Sequence, residues 1–136
     1  MAQDALVDAL IEAGARLIDR LSESAFYPES ALWMYRPESE DWVLLLGSSN
    51  VRRQGPSAAY AQIDSMMRTE NFDPLRLDDV VVSDNDDPTL RLLRGAIKTG
   101  PTLDRIRFSR NRIGNAFIED ALIYRLQDPA VQPQSA

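Results

Sequence analysis

The chain has 136 residues, a net charge of −6, and neither histidine nor cysteine. Without imidazole or thiolate it cannot form a Ser-His-Asp or Cys-His nucleophile system, a thiol redox couple or the usual zinc cage. We therefore predict no catalytic residue, no metal site and no cofactor. Hydrophobic residues make up 44% and charged residues 26%, which is the balance of an ordinary globular domain.

The first predicted element is an amphipathic helix over residues 4–22. Its apolar residues recur at helical spacing, and they are Leu6, Leu10, Ala13, Leu17 and Leu21. Further apolar residues widen this stripe, so we expect the helix to pack on a sheet. Phe26, Tyr27 and Pro28 end the helical pattern, because the residue before a proline is pushed toward extended geometry.

A β-hairpin is predicted next, with strands over residues 31–35 and 42–46. With a loop over residues 37–40, the register pairs Arg36 with Asp41 and Tyr35 with Trp42. Both faces of this hairpin are apolar, whereas a one-sided sheet alternates apolar and polar residues. We therefore expect each face to be covered, either by the chain itself or by a partner.

Two more helices and one strand follow. Pro56 suits the first turn of a helix over residues 58–68. The three valines at residues 80–82 predict a short buried strand. Asp87 is predicted to cap a third helix, with Pro88 at its first position.

The last predicted element is a second hairpin, formed by residues 103–113 and 116–126 around Gly114 and Asn115. Glycine at this position favours a type II′ turn. The register then pairs Ile113 with Ala116 and Phe108 with Ala121. It also predicts two ion pairs across the strands, Arg110 with Glu119 and Asp104 with Arg125.

Together these elements predict a single α+β domain over residues 1–126. The order is α-β-β-α-β-α-β-β, which gives a five-stranded mixed or antiparallel sheet packed with three helices. Residues 127–136 contain two prolines and no aromatic residue, so we predict a disordered tail.

One candidate small-ligand site lies in the loop over residues 48–57. Hydroxyl, amide and guanidinium groups there precede a helix start, where free backbone N–H groups favour anions. The candidate anion-binding residues are Ser49, Asn50, Arg52, Arg53 and Ser57. The alternative is an ordinary solvated loop, since no nucleotide-binding glycine pattern is present.

Acidic residues offer two further candidates, and we assign both to structure. Glu119 and Asp120 are neighbours on a strand and so point to opposite faces, which disfavours a paired acid site. We expect Arg110 to pair with Glu119, and Arg107 and Ser109 to hold Asp120. Residues 83–87 are rich in aspartate but lack the glycine and glutamate of a calcium loop.

The segment over residues 91–112 has seven basic residues and one acidic residue, a net charge of +6. This segment is a candidate for weak nucleic-acid binding. The rest of the chain is acidic, however, which makes nucleic acid an unfavoured partner. Aromatic and arginine side chains also predict an interaction surface. Its candidate residues are Trp33, Tyr35, Trp42, Arg105, Arg107 and Tyr124.

From these features we expect a non-enzymatic protein-interaction or regulatory module whose partner is a second copy or another protein. The alternatives are an anion-binding sensor or enzyme using residues 48–57, and weak nucleic-acid binding. The amino terminus lacks the basic region of a secretory signal, and no apolar run reaches the length of a membrane span. We therefore expect a cytoplasmic protein with no membrane partner.

Overall fold

The computed structural model describes residues 6–127 of the chain. The predicted order of elements is confirmed, with one additional short helix in the segment expected to be a loop. The elements are α1 (Asp8–Leu21), β1 (Ser30–Arg36), β2 (Asp41–Ser48), α2 (Asn50–Gln54), α3 (Pro56–Thr69), β3 (Val80–Asp84), α4 (Pro88–Ala96), β4 (Ile106–Ile113) and β5 (Ala116–Leu126). Of the predicted tail, all residues after Gln127 lie outside the described part of the chain.

The extra helix α2 is stabilised by one buried apolar residue and by one hydrogen bond at its start. Val51 is buried against the core, and Ser48 Oγ accepts a hydrogen bond from the backbone N–H of Asn50. The capping prediction at α4 is confirmed, since the Asp87 side chain accepts from the backbone N–H groups of Thr89 and Leu90.

All five strands form one mixed sheet in the order β3-β2-β1-β5-β4. Strands β2 and β3 are parallel because α2 and α3 connect them, while the other neighbours are antiparallel. The predicted register of the first hairpin is confirmed, with Tyr35 opposite Trp42. The predicted ion pair beside it is confirmed too, because Arg36 donates two hydrogen bonds to Asp41, of 3.0 and 2.9 Å.

Helices cover both faces of the sheet. Helices α1 and α3 pack on the face that carries Trp33, Leu44 and Tyr124. The short helix α4 packs on the opposite face, where its Leu90 and Leu93 join a cluster with Leu32 and Ile123. The chain therefore supplies the cover for the two apolar faces of the first hairpin.

A hydrogen-bonded chain of groups ties α1 to the middle of the sheet. Trp33 Nε1 donates to Tyr124 Oη over 2.9 Å, and Tyr124 Oη donates to the Ile11 carbonyl over 2.6 Å. Burial raises the pKa of Tyr124 to about 12, with the hydrogen bond from Trp33 acting in the opposite direction. Gly14 permits this approach, because a Cβ there would lie 2.8 Å from Tyr124 Oη.

Arg125 occupies a buried position near the end of β5, so its predicted pairing with Asp104 is wrong. Its Nη1 donates to the Pro101 carbonyl, and its Nη2 donates to the Pro28 carbonyl, each over 2.8 Å. The same Nη2 donates to Ser22 Oγ over 2.8 Å. Burial lowers the pKa of Arg125. One guanidinium thus joins the end of α1 to two loops.

The second hairpin has the predicted register except at one position. Ile113 lies opposite Ala116, and Gly114 has a φ of 59°, which its tight turn requires. The predicted pairing of Arg110 with Glu119 is wrong, because Arg110 adopts a φ of 47° and leaves the ladder there.

This interruption changes which side chains of β5 share a face. Ile118 packs in the same cluster as Ala121 and Ile123, although strict alternation would place Ile118 with Asp120. A sequence-based register assumes uninterrupted alternation and therefore cannot show this change.

Candidate functional site

The two hairpins separate at one end of the sheet and leave a cleft between them. Strand β1 pairs with β5 only as far as Met34 opposite Ala121, and beyond that point the two strands diverge. We call the gap the hairpin cleft. It has a volume of about 400 Å³, and its lining residues are Tyr35, Trp42, Ser109, Arg110, Glu119 and Asp120.

A smaller depression of about 170 Å³ adjoins the hairpin cleft and shares Tyr35 and Glu119 with it. Pro37 and Glu38 line one side of the depression, and Phe117 lines the other. The tips of the two hairpins therefore lie side by side at this end of the molecule.

One wall of the hairpin cleft is an ordered network around Asp120. Arg107 Nε and Nη2 donate to the Asp120 carboxylate over 2.8 and 2.7 Å, and Ser109 Oγ donates to it over 2.7 Å. These contacts confirm the structural role predicted for Asp120. The hydrogen bond from Arg107 is the main cause that lowers the pKa of Asp120.

Aromatic rings continue this wall. The Arg107 guanidinium lies 5.6 Å from the centre of the Trp42 ring, within the range of a cation–π contact. Tyr35 and Trp42 have ring centres 5.5 Å apart with a tilt of 59°. Two rings, one guanidinium and one carboxylate are thus held in a fixed arrangement by contacts within the chain.

Glu119 and Arg110 differ from that network because neither forms an ion pair with any residue in 6–127. Glu119 is half-buried, whereas Arg110 is exposed. A half-buried carboxylate without a cation is less stable than a paired one, so it favours a partner that supplies a positive group.

The groups that line the hairpin cleft are suited to non-covalent contacts. Asp120 is held as a carboxylate by Arg107 and Ser109, and its lowered pKa makes it a poor proton donor near neutral pH. The other lining groups include the rings of Tyr35 and of the mostly buried Trp42, one carboxylate and one guanidinium. Such groups can form aromatic and polar contacts.

The candidate anion-binding residues are brought together, but the chain's own carboxylates occupy their donors. Ser49 donates from its backbone N–H and its hydroxyl to Glu29, over 2.8 and 2.6 Å. Arg52 donates to Asp84 and Asp86, each over 3.0 Å.

Two other members of that candidate set make local contacts, and one is exposed. Arg53 donates to the Asn50 side chain over 3.0 Å, and Asn50 donates to the Ala25 carbonyl over 2.9 Å. Ser57 is exposed at the start of α3. Groups of the chain itself therefore bind the side chains of four of the five candidates.

The basic segment over residues 91–112 is divided among several acidic neighbours. Arg105 donates to Glu12 over 3.0 Å, and Arg107 binds Asp120. Arg94 is buried and donates to the Asn85 carbonyl over 2.7 Å. The concentration of charge seen in the sequence is therefore not a continuous basic surface in the fold.

The predicted interaction surface is divided between core and cleft. Trp33 and Tyr124 are fully buried, so neither is available on the surface of one chain. Trp42 is buried as well, at 8% exposure, but it lines the hairpin cleft, where Tyr35 and Arg107 contact its ring. Arg105 lies apart from them, on Glu12 of helix α1.

Phe117 is the residue that the sequence-based prediction missed. The residue is 54% exposed, and Phe117 and Val7 are the exposed large apolar residues within 6–127. The sequence did contain a signal for this exposed residue. The register places Phe117 opposite Arg112, and a strand face that is open to solvent normally carries a polar residue at such a position.

Within residues 6–127 no group of three or more acidic, histidine or cysteine side chains is arranged to hold a metal ion. In the same range, no helix combines the length and the apolar character needed to cross a membrane.

Comparison with protein-family models, with curated proteins and with solved structures finds no match to this chain.

Proposed function

We propose that the chain is a non-enzymatic protein-interaction module whose contact surface is the hairpin cleft. The observation that carries this proposal is the exposure of Phe117 beside the preformed wall of Tyr35, Trp42 and Arg107. Aromatic and arginine side chains supply much of the binding energy of protein interfaces.

Two features support binding rather than catalysis. The chain lacks histidine and cysteine, and the best-ordered carboxylate of the cleft, Asp120, is committed to Arg107. Glu119 and Arg110 remain as charged groups that a partner can pair with, because both lie at the cleft without an ion pair in the described residues.

The anion-binding alternative has less support. An anion at Ser49 would have to displace Glu29, and one at Arg52 would have to displace Asp84 and Asp86. Each displacement would leave a carboxylate without its donor, which costs free energy.

Site-specific crosslinking tests this function. Phe117 is replaced by a photoreactive phenylalanine analogue in the source cells, and Gln54, which is exposed on α2, is replaced in the same way as a control. We expect one discrete protein adduct from position 117 and none of that mass from position 54.

A second variant makes the result specific. Glu119→Arg should remove the adduct at position 117, while Asp104→Arg makes the same charge change away from the cleft and should leave it. Equal adducts from both crosslinker positions, or none from position 117, would contradict the proposed function.

A further inference from the structure

The two hairpin tips beside the cleft carry opposite charges of equal size. We define the acidic tip as residues 36–41, whose net charge is −2, and the basic tip as residues 110–115, whose net charge is +2. Within the acidic tip, Arg36 and Asp41 pair with each other, which leaves Glu38 and Glu40. Both of these glutamates are exposed.

The charges of the basic tip are equally available. Arg110 and Arg112 are exposed, and neither forms an ion pair with a residue in the range 6–127. Many other arginines of that range do, including Arg20, Arg52 and Arg107. The two tips therefore lie side by side without neutralising each other within one chain.

This arrangement is complementary to itself. A two-fold axis that runs through the cleft, perpendicular to the sheet, turns a second copy end to end and exchanges left with right. The acidic tip of each copy then faces the basic tip of the other, at both ends of the contact. An axis lying in the sheet across the strands would instead oppose like charges. Closed two-fold dimers use such self-complementary surfaces.

An apolar centre lies between the charged tips. Phe117 lines the depression that also contains Pro37 and Glu38, so it occupies the boundary between the two tips. Met34 and Tyr35 line the same depression and are half-buried. An exposed aromatic residue surrounded by charged residues is the usual arrangement of an interface centre and its rim.

We infer that a second copy of this chain docks end to end at the hairpin cleft, with the acidic tip of each copy on the basic tip of the other and Phe117 at the centre. The inference rests on the proposed function, since it names the partner of the same surface. Charge complementarity would fix the orientation, while the aromatic centre would provide most of the affinity.

Sedimentation of the full chain tests the inference through a charge exchange between copies. The wild type should form a dimer whose dissociation constant rises with ionic strength. Arg112→Glu and Glu38→Arg should each weaken the dimer about tenfold or more, because each places like charges in contact twice. An equal mixture of the two variants should recover dimer, because the altered residues then have opposite charges across the contact.

Matched controls have the same charge changes elsewhere. Asp104→Arg and Arg53→Glu alter exposed residues away from the cleft and should leave the dimer unchanged. A dimer that none of the tip variants weakens would overturn the inference, as would a mixture that fails to recover dimer while each variant remains folded by circular dichroism.

The failure of this inference and the failure of the proposed function can be told apart. A monomeric wild type with a crosslink from position 117 to a different protein would overturn the second copy as partner and keep the function. A monomeric wild type with no crosslink at that position would overturn both.

Discussion

Strands β1 and β5 pair along one part of their length and separate along the other. The polar side chains near the two parts differ in whether they have partners within the chain. In the paired half, Trp33, Tyr124 and Arg125 are buried, and each has a hydrogen-bond partner within the chain. Beside the separated half, Glu119 of β5 and Arg110 of the adjacent strand β4 lie at an open cleft without an ion pair in residues 6–127. Under the proposed function, Glu119 and Arg110 serve recognition while Trp33, Tyr124 and Arg125 serve stability, so substitutions should affect the two properties separately.

The largest expected loss of stability is at Arg125. Arg125→Met removes the hydrogen-bond donor of the buried Pro28 carbonyl and of the Pro101 carbonyl. Hydrogen bonds from a charged donor contribute about 1.5–3 kcal/mol each, and part of the loss is offset because the buried charge is removed as well. We expect the free energy of unfolding to fall by about 3 kcal/mol, measured by urea denaturation.

Arg91→Met is the control for that measurement. Arg91 is exposed and lies 3.9 Å from Asp86, so its replacement should change the free energy of unfolding by less than about 0.5 kcal/mol. Equal effects of the two substitutions would contradict the structural role of Arg125.

The next largest effect is expected at Gly14. In Gly14→Ala the new Cβ would lie 2.8 Å from Tyr124 Oη and 3.0 Å from Trp33 Nε1, so the helix or the rings must move. Overpacking of this kind costs about 1–3 kcal/mol, against a gain in helix propensity of about 1 kcal/mol. We expect a net loss of stability and a lower melting temperature.

Gly95→Ala separates the two contributions in that experiment. Gly95 lies in α4 with open space around the position of a Cβ. Only the gain in helix propensity applies there, so the melting temperature should stay the same or rise. If Gly95→Ala lowered the melting temperature and Gly14→Ala did not, the assignment of overpacking to Gly14 would be wrong.

A smaller and pH-dependent effect is expected at Asp120, in the separated half. Its pKa is lowered in the folded chain, mainly by the hydrogen bond from Arg107. The stability it contributes is therefore present above the unfolded pKa of about 4 and is lost as the pH falls through the folded pKa. Because Arg107 is about half exposed, we expect about 1 kcal/mol at neutral pH.

Comparison of the wild type with Asp120→Asn measures that contribution. The difference in the free energy of unfolding should be constant near neutral pH and should shrink as the pH falls below about 4. A difference that grew on acidification would have the wrong sign for a lowered pKa.

Much of the fold could be predicted from the sequence because its signals are local. Helical spacing placed α1, and a proline after an aspartate placed the start of α4. Alternation with matched pairs gave the register of the first hairpin, including Arg36 opposite Asp41. Each of these depends on residues that are close together in the chain.

The hairpin cleft could not be predicted, because it depends on where two distant strands stop pairing. The order of strands brings Tyr35 and Glu119 to one cleft, and no local pattern encodes that order. The sequence also gives no sign of the left-handed backbone at Arg110, since arginine has no preference for that conformation. Burial of Trp33 and Tyr124 could not be told from exposure until the covering helix was placed.

The smallest expected effect on stability is at Glu119, and it provides the sharpest contrast with its neighbour. Glu119→Gln keeps the shape of the side chain and removes a charge that has no ion pair in the described residues. We expect the free energy of unfolding to change by less than about 0.5 kcal/mol, against about 1 kcal/mol for Asp120→Asn. The crosslink from position 117 should nevertheless weaken, because a partner would lose a carboxylate at the cleft. If Glu119→Gln destabilised the fold as much as Asp120→Asn, Glu119 would be a structural residue like its neighbour and not a group available to a partner.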